Sequence, residues 1–467
     1  MTTAFGHALS IAVLVLLHQI LSAQADFISY ANQFVDPAFI LSDSWKATTT
    51  WAQSSILDDA QFVAAQGPWA VTNKTYLPPS NNTHDYASLR PYFWPDCSKV
   101  GNTTQLTDEQ IERECPYVDR DGQFNPDIHK VNNTGAFSAL ADSVFYNGIS
   151  WAITKDSKYS TNIATEISTW FLNNATYMTP NLQYSQLVRG PGVHNGSSEG
   201  VLDLKGMAKL VSGVLILRNG KAAEWTSEID TGLVTWVKEY IVWLTTSTQA
   251  LEERAMPNNH GSFYFNQLSA LQLFVGDTAG AKATITAYFT GIFQNQIIAN
   301  GDQPEESART HPMHYRAYNL AAMVVNARIA AVVGYDGWNA TTKAGVTIKA
   351  AADYAMTFKL DGEEGYTVQE LTQPVAEIAS VYGDPDGKYA QWMKSQDTQY
   401  PGQPFYLWSP GLSDSGLKAA ASGTGSAPTS TGTSGSHTKN GAGTTRFVGM
   451  VTCIVFIVVS VGGPFIF

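Results

Sequence analysis

The chain has 467 residues, a formal net charge of −12, and 44% hydrophobic and 15% charged residues. That acidic balance excludes nucleic acid and anionic membranes as non-specific partners. It leaves room for an anionic substrate held by a local group of Arg, His and Asn.

Residues 1–25 read as a secretory signal peptide. The apolar run "ALSIAVLVLLHQIL" is followed by "SAQA", with Ala23 and Ala25 in the small-x-small pattern of a cleavage site. Residues 26–418 are then expected to form the folded domain. Within it, 67–130 is rich in Pro, Asn, Tyr and Trp and reads as a long loop region near the N-terminus, packed on the rest. Cys97 and Cys115 are expected to pair there in an oxidising compartment, closing a short loop worth about 3 kcal/mol in the chain-entropy model. Long loops in compact domains are usually functional. "DRDGQFNPD" (119–127) has a D-x-D-G flavour but lacks the spacing and terminal Glu of a calcium loop, so it reads as a turn and no metal is expected.

From 130 to 360 the pattern is helical. "VLDLKGMAKLVSGVLIL" (201–217), "EIDTGLVTWVKEYIVWL" (228–244) and "NLAAMVVNARIAAVVG" (319–334) place apolar residues at three- and four-residue steps, and no stretch alternates with a clean period of two. Consecutive antiparallel helix pairs predict an all-α fold, an (α/α) toroid or an α-solenoid. The absence of a repeat of fixed period favours the toroid, an incomplete α/α barrel whose centre offers a groove.

Residues 419–446, rich in Ser, Thr and Gly, read as a stalk. Residues 447–467 form a hydrophobic tail that with the stalk matches a GPI-anchor signal, an ordinary membrane helix being the alternative. Sequons at Asn73, Asn81, Asn102, Asn132, Asn174, Asn195 and Asn339 suit a glycosylated ectodomain. The expectation is a monomeric glycoprotein, secreted to the cell surface or wall and tied to the plasma membrane by the anchor or tail.

Three stretches carry chemistry. "NNTHDYASLRPYFWPD" (81–96) gathers His84, Arg90, Tyr92 and Trp94, aromatics and a cation suited to an acidic sugar. "MPNNHGSFYFNQ" (256–267) sets Asn258, Asn259 and His260 before an apolar run, where Asn would equally serve as a helix cap. "QPEESARTHPMHYRAYNL" (303–320) holds Glu306, Arg309, His314, Tyr315 and Tyr318, with Glu306 and Arg309 spaced to pair on a helix. Together these residue types meet the needs of β-elimination from a uronic acid. A donor must neutralise the carboxylate so that the enolate-like intermediate forms, a base must take the C5 proton, and an acid must protonate the departing O4. No cofactor is needed. A glycoside hydrolase would instead draw two carboxyls from Glu252, Glu253, Glu305, Glu306 and Asp85, and a non-catalytic wall-binding protein would use only the groove.

"HDYASLRPYFWPD", "PNLQYSQ" (180–186), "NNHGSFY" (258–264) and "ESARTHPMHYRAYNL" (306–320) occur in that order. Over roughly 60–380 the chain resembles the alginate lyase family of polysaccharide lyases, whose fold is an (α/α) toroid. The resemblance implies an anionic polysaccharide substrate. It implies that Asn259 neutralises the carboxylate and that His260 is the base or positions the sugar. Arg309 would support the carboxylate or the catalytic Tyr, and Tyr315 would donate the proton to the leaving oxygen. The Arg-to-Tyr spacing is shorter by one than in bacterial members, which makes Tyr318 a second candidate acid. His84, Arg90, Tyr92, Trp94, Tyr184, Gln186, His314 and Tyr318 would contact substrate.

Overall fold

In the computed structural model the described residues are 27–101, 105–192, 194–358 and 367–409. The chain divides into a unit spanning Met1–Ala419 and a second spanning Ala420–Phe467. The expected signal peptide, stalk and tail lie outside the described residues. Among the described helices, none is long and apolar enough to cross a membrane.

The longer helices, numbered in chain order, are α1 (Thr50–Ala64), α2 (Asp108–Glu114), α3 (Asn133–Thr154), α4 (Ser157–Ile167), α5 (Met207–Gly220), α6 (Ser227–Thr246), α7 (Thr248–Ala255), α8 (Asn259–Phe274), α9 (Thr278–Thr290), α10 (Pro312–Val332), α11 (Ile348–Ala355), α12 (Thr367–Tyr382) and α13 (Lys388–Gln396). Several start where a side chain satisfies the first free N–H groups: Asp156 before α4, Thr226 before α6 and Asp277 before α9 each accept from the first turn. Thr107 and Gln110 form a reciprocal capping box on α2.

Four helices form an inner layer in which α3 packs on α5, α5 on α8 and α8 on α10. An outer layer backs it, with α1 and α4 on α3, α9 on α8 and α12 on α10. This is the expected all-α toroid. Its layering follows from composition: α10 is buried continuously from Met313 to Ala327, so it needs neighbours on every side. Inner helices approach closely at Gly148 of α3 and Gly213 of α5. A Cβ on Gly148 would lie 2.7 Å from the Gly213 Cα, and one on Gly213 would lie 2.2 Å from the Val144 carbonyl oxygen.

The stretch 201–217 is not one helix. A 3-10 segment, Ser198–Leu204, ends at Lys205, and α5 starts only at Met207. At the break, a Cβ on Gly206 would stand 2.9 Å from the Ala141 Cβ of α3, so the backbone passes close to its neighbour there.

The segment before α3 carries three short strands, and a fourth follows α4. β1 (Ala87–Leu89) pairs in parallel with β4 (Tyr184–Leu187), and β2 (Phe93–Pro95) pairs antiparallel with β3 (Tyr117–Asp119). Cys97 and Cys115 are disulfide-bonded across 18 positions, with Cα atoms 4.8 Å apart, and tie off the β2–β3 ribbon. β4 is four residues long, too short for alternation to show in the sequence. Asn73, Asn81, Asn132, Asn174, Asn195 and Asn339 are all exposed; Asn102 lies outside the described residues.

Candidate active site

α8 and α10 pack together, with Asn326 Nδ2 of α10 donating to the Ser262 carbonyl of α8 at 3.0 Å. The two asparagines of "NNH" have different partners. Asn258 is the cap: its side chain accepts from the His260 N–H at 3.3 Å. Asn259 is released for another task. Its backbone N–H donates to Glu306 Oε1 at 2.6 Å and its side-chain Nδ2 to Glu306 Oε2 at 2.7 Å. Two parallel bonds to one carboxylate fix the amide's orientation. Glu306 is fully buried, which pushes its pKa up to about 7 against the opposing effect of the Asn259 hydrogen bonds. Its side chain therefore turns to Asn259 rather than pairing with Arg309. Glycine at the next position has a steric cause, since a Cβ on Gly261 would lie 2.2 Å from the Met256 carbonyl oxygen.

His260 points its Nδ1 at Glu253 Oε1, 2.8 Å away, and is the partly exposed member of the pair. This bond assigns the ring proton of the neutral imidazole to Nδ1 and leaves the lone pair on Nε2. Burial disfavours the imidazolium, but Glu253, followed by Glu199 and Glu306, outweighs it and raises the His260 pKa above its ordinary value. Burial also raises the Glu253 pKa.

Across from this pair, Arg309 Nη2 donates to the Tyr315 hydroxyl at 2.8 Å and to Asp121 Oδ1 at 2.7 Å. Its guanidinium carbon lies 3.9 Å from the Tyr315 ring centroid. The Tyr315 hydroxyl is 3.3 Å from the Tyr92 hydroxyl. Burial and then Tyr92 push the Tyr315 pKa well up, more than Arg309 lowers it. The phenol therefore keeps its proton at rest. Asp121 comes from the segment read as a turn. It also accepts from the Thr310 hydroxyl and is held below the usual carboxylate range by the Arg309 hydrogen bond.

The remaining expected residues divide. Tyr92 joins Tyr315, and its ring also packs on Phe124 at 5.1 Å. Arg90 pairs with Glu199 at 2.7 Å and covers the Phe93 ring at 3.6 Å. Gln186, with a positive φ of 44°, reaches the Glu199 carbonyl and Asp203, each at 3.3 Å. Trp94 donates to the Gln123 carbonyl at 2.9 Å beside the same ribbon. His314 bonds Glu370 at 2.9 Å, with its ring 4.9 Å from Tyr315 and 5.6 Å from Tyr318. Tyr318 packs on Phe263 at 4.5 Å, and burial raises its pKa far above the ordinary value. His84 and Tyr184 sit apart from this cluster. His84 Nδ1 is 2.6 Å from the Tyr177 carbonyl oxygen and its ring lies 4.4 Å from that of Tyr177. Tyr184 packs against the small core of Ala87, Leu89, Val131 and Leu187.

The sequence did not mark Asp121, Glu253 and Glu306 as the partners of Arg309, His260 and Asn259, because each acts across a break in periodicity. Glu253 ends α7 while His260 starts α8, and Asp121 reaches Arg309 over 188 positions. The hydrolase candidates are spent: Glu253 is bound to His260, Glu306 to Asn259, and Asp85 to Ser80, Asn82 and Thr179. Glu252 and Glu305 are exposed.

The family model described as alginate lyase matches residues 70–365. An alginate lyase structure from Bacteroides ovatus is 27% identical with a TM-score of 0.69, covering 80% of this chain and 96% of that one. Alginate lyase A1-III from Sphingomonas species A1 is more remote, at 14% identity and a TM-score of 0.37, covering 67% of this chain and 80% of that one. A form of alginate lyase A1-III complexed with a tetrasaccharide stands at 12% and 0.44, covering 78% of this chain and 97% of that one. No curated protein matches the chain.

Proposed function

The chain belongs to the alginate lyase family and is a polysaccharide lyase, and from that premise we propose that it cleaves a 1,4-linked polyuronate by β-elimination without a metal ion. The observation that carries this reading is the hydrogen bond from Arg309 to the Tyr315 hydroxyl at 2.8 Å. A guanidinium that donates to a phenol oxygen stabilises the phenolate left behind once the proton has gone to the leaving O4. Tyr315 is the acid in preference to Tyr318, since Arg309 is bonded to Tyr315.

His260 is the base. Its Nδ1–H is held by Glu253, so Nε2 carries the free lone pair, and the carboxylate stabilises the imidazolium that forms when the C5 proton is taken. The Asn259 amide, oriented by Glu306, neutralises the substrate carboxylate along with Arg309. As the C5–H bond breaks, its electrons form the C4–C5 double bond and the C4–O bond opens. The released oxygen takes the Tyr315 proton.

Alginate, or a glucuronan-like polymer, is the substrate class that fits. The enzyme is proposed to work as a glycoprotein outside the cytosol, secreted to the cell surface and held by a GPI anchor or the hydrophobic tail, with 26–418 as its catalytic domain. The exposure of the described sequon asparagines supports that route. The test is to incubate the purified protein with polymannuronate, polyguluronate and polyglucuronate, with and without chelator, and follow ultraviolet absorbance. A chelator-insensitive rise on one polymer is the expected result. Reducing ends released without absorbance would make it a hydrolase, and a chelator-abolished rise would refute metal independence.

A further inference from the structure

Lys205 sits at the break between the 3-10 segment and α5, half-buried, with its Nζ 5.8 Å from the Tyr318 ring centroid. That ring stacks beside His314 at 5.6 Å, which in turn meets Tyr315 at 4.9 Å. Lys205 thus borders the aromatic cluster that includes Tyr315.

The carboxylates around it are committed elsewhere. Asp203 accepts from Ser88, Tyr86, Thr134 and Gln186. Asp142 accepts from Lys209 and Ser29. Glu370 accepts from His314 with one oxygen, and its other oxygen is buried without a donor. Among the described residues Lys205 has neither a hydrogen-bond acceptor nor a salt-bridge partner. Burial, and then the neighbouring Lys209, lower its pKa to about 8. A partly desolvated ammonium without an anion is unfavourable, and an arriving carboxylate relieves it.

Resting on the polyuronate reading, we propose that Lys205 binds the carboxylate of a uronate residue adjacent to the one being cleaved, so that it sets affinity for the polymer rather than the chemistry. A charge-assisted hydrogen bond in such a site is worth roughly tenfold to a hundredfold in affinity. In the purified protein, Lys205→Gln should raise KM for the polymer tenfold or more, with the effect on KM exceeding that on kcat. Lys205→Arg should restore most of the affinity. In a Tyr315→Phe background, which blocks turnover, binding of uronate oligomers by calorimetry should weaken to the same extent and lose part of its salt dependence. An unchanged KM and unchanged oligomer binding in Lys205→Gln would overturn the inference while leaving the lyase reading intact. So would a loss confined to kcat, or one matched by a drop in melting temperature, since either marks a catalytic or structural lysine. If the parent protein neither cleaves nor binds any uronate polymer, the lyase reading fails and this inference falls with it.

Discussion

Tyr315 holds its proton because burial, and then the Tyr92 hydroxyl, make the phenolate unfavourable, while in the proposed reaction Arg309 stabilises that same phenolate once substrate has taken the proton. Tyr315→Phe removes only the oxygen. It should cost about a hundredfold to ten-thousandfold in kcat with unchanged far-UV circular dichroism. His260 supplies the opposite limb of the pH profile. Its pKa is raised, so it is protonated below that value and free to act as a base above it; kcat/KM should rise with pH through the His260 pKa. Glu253→Gln withdraws the charge that raises that pKa. The rising limb should then move to lower pH and the maximal rate should fall, as a pH series on both proteins would reveal. At this scale Asn259, His260, Arg309 and Tyr315 were legible as candidates because their side chains suit one reaction and cluster in motifs. Asp121, Glu253 and Glu306 were not, because a carboxylate that holds another side chain carries no mark of its own until the fold brings the two together. The expected pairing of Glu306 with Arg309 failed for that reason: two N–H groups of Asn259 offered the buried carboxylate a better-aligned site.

Helix starts carry the site. α8 and α10 each present candidate side chains from the first turn, and the first turn of α8 has no room for a side chain at Gly261. Gly261→Ala would force the Met256 carbonyl or the helix start to move, at about 1–3 kcal/mol. Asn259 and His260 would shift with it, so urea unfolding should show a lower midpoint and kinetics a lower kcat in the same variant. Longer helices could be read from the sequence because burying one stripe imposes a 3.6-residue period. The boundary inside 201–217 escaped that reading. Its apolar residues continue in helical register across Lys205 and Gly206, while the close approach to α3 that interrupts the helix is a tertiary fact. Strands of three or four residues give periodicity too little length to register.

In the molecule as a whole, stability has a pH dependence rooted in the core. Asp59 is buried on α1, with one carboxyl oxygen lacking any hydrogen-bond partner, and burial together with Asp142 pushes its pKa up to about 8. A carboxyl with a raised folded-state pKa binds its proton more tightly folded than unfolded. Its contribution is complete below its ordinary value of 3.8 and is lost as pH rises through about 8. Asp59→Asn, neutral throughout, should therefore gain melting temperature relative to the parent at pH 8, and that advantage should shrink steadily as pH falls towards 3.8, as paired thermal scans would show. The toroid itself was foreseen from its run of helices, whereas the unpaired oxygen within its core was not.

The bond between Asp121 and Arg309 joins residues 188 positions apart, from the ribbon on one side and the helical layer on the other. Each helix of the layer packs on other helices, but this junction depends on two regions staying docked. Under rising denaturant the two should part company. Turnover should vanish at a concentration where circular dichroism still reports nearly full helicity, so the enzyme would fail as a catalyst before it fails as a fold.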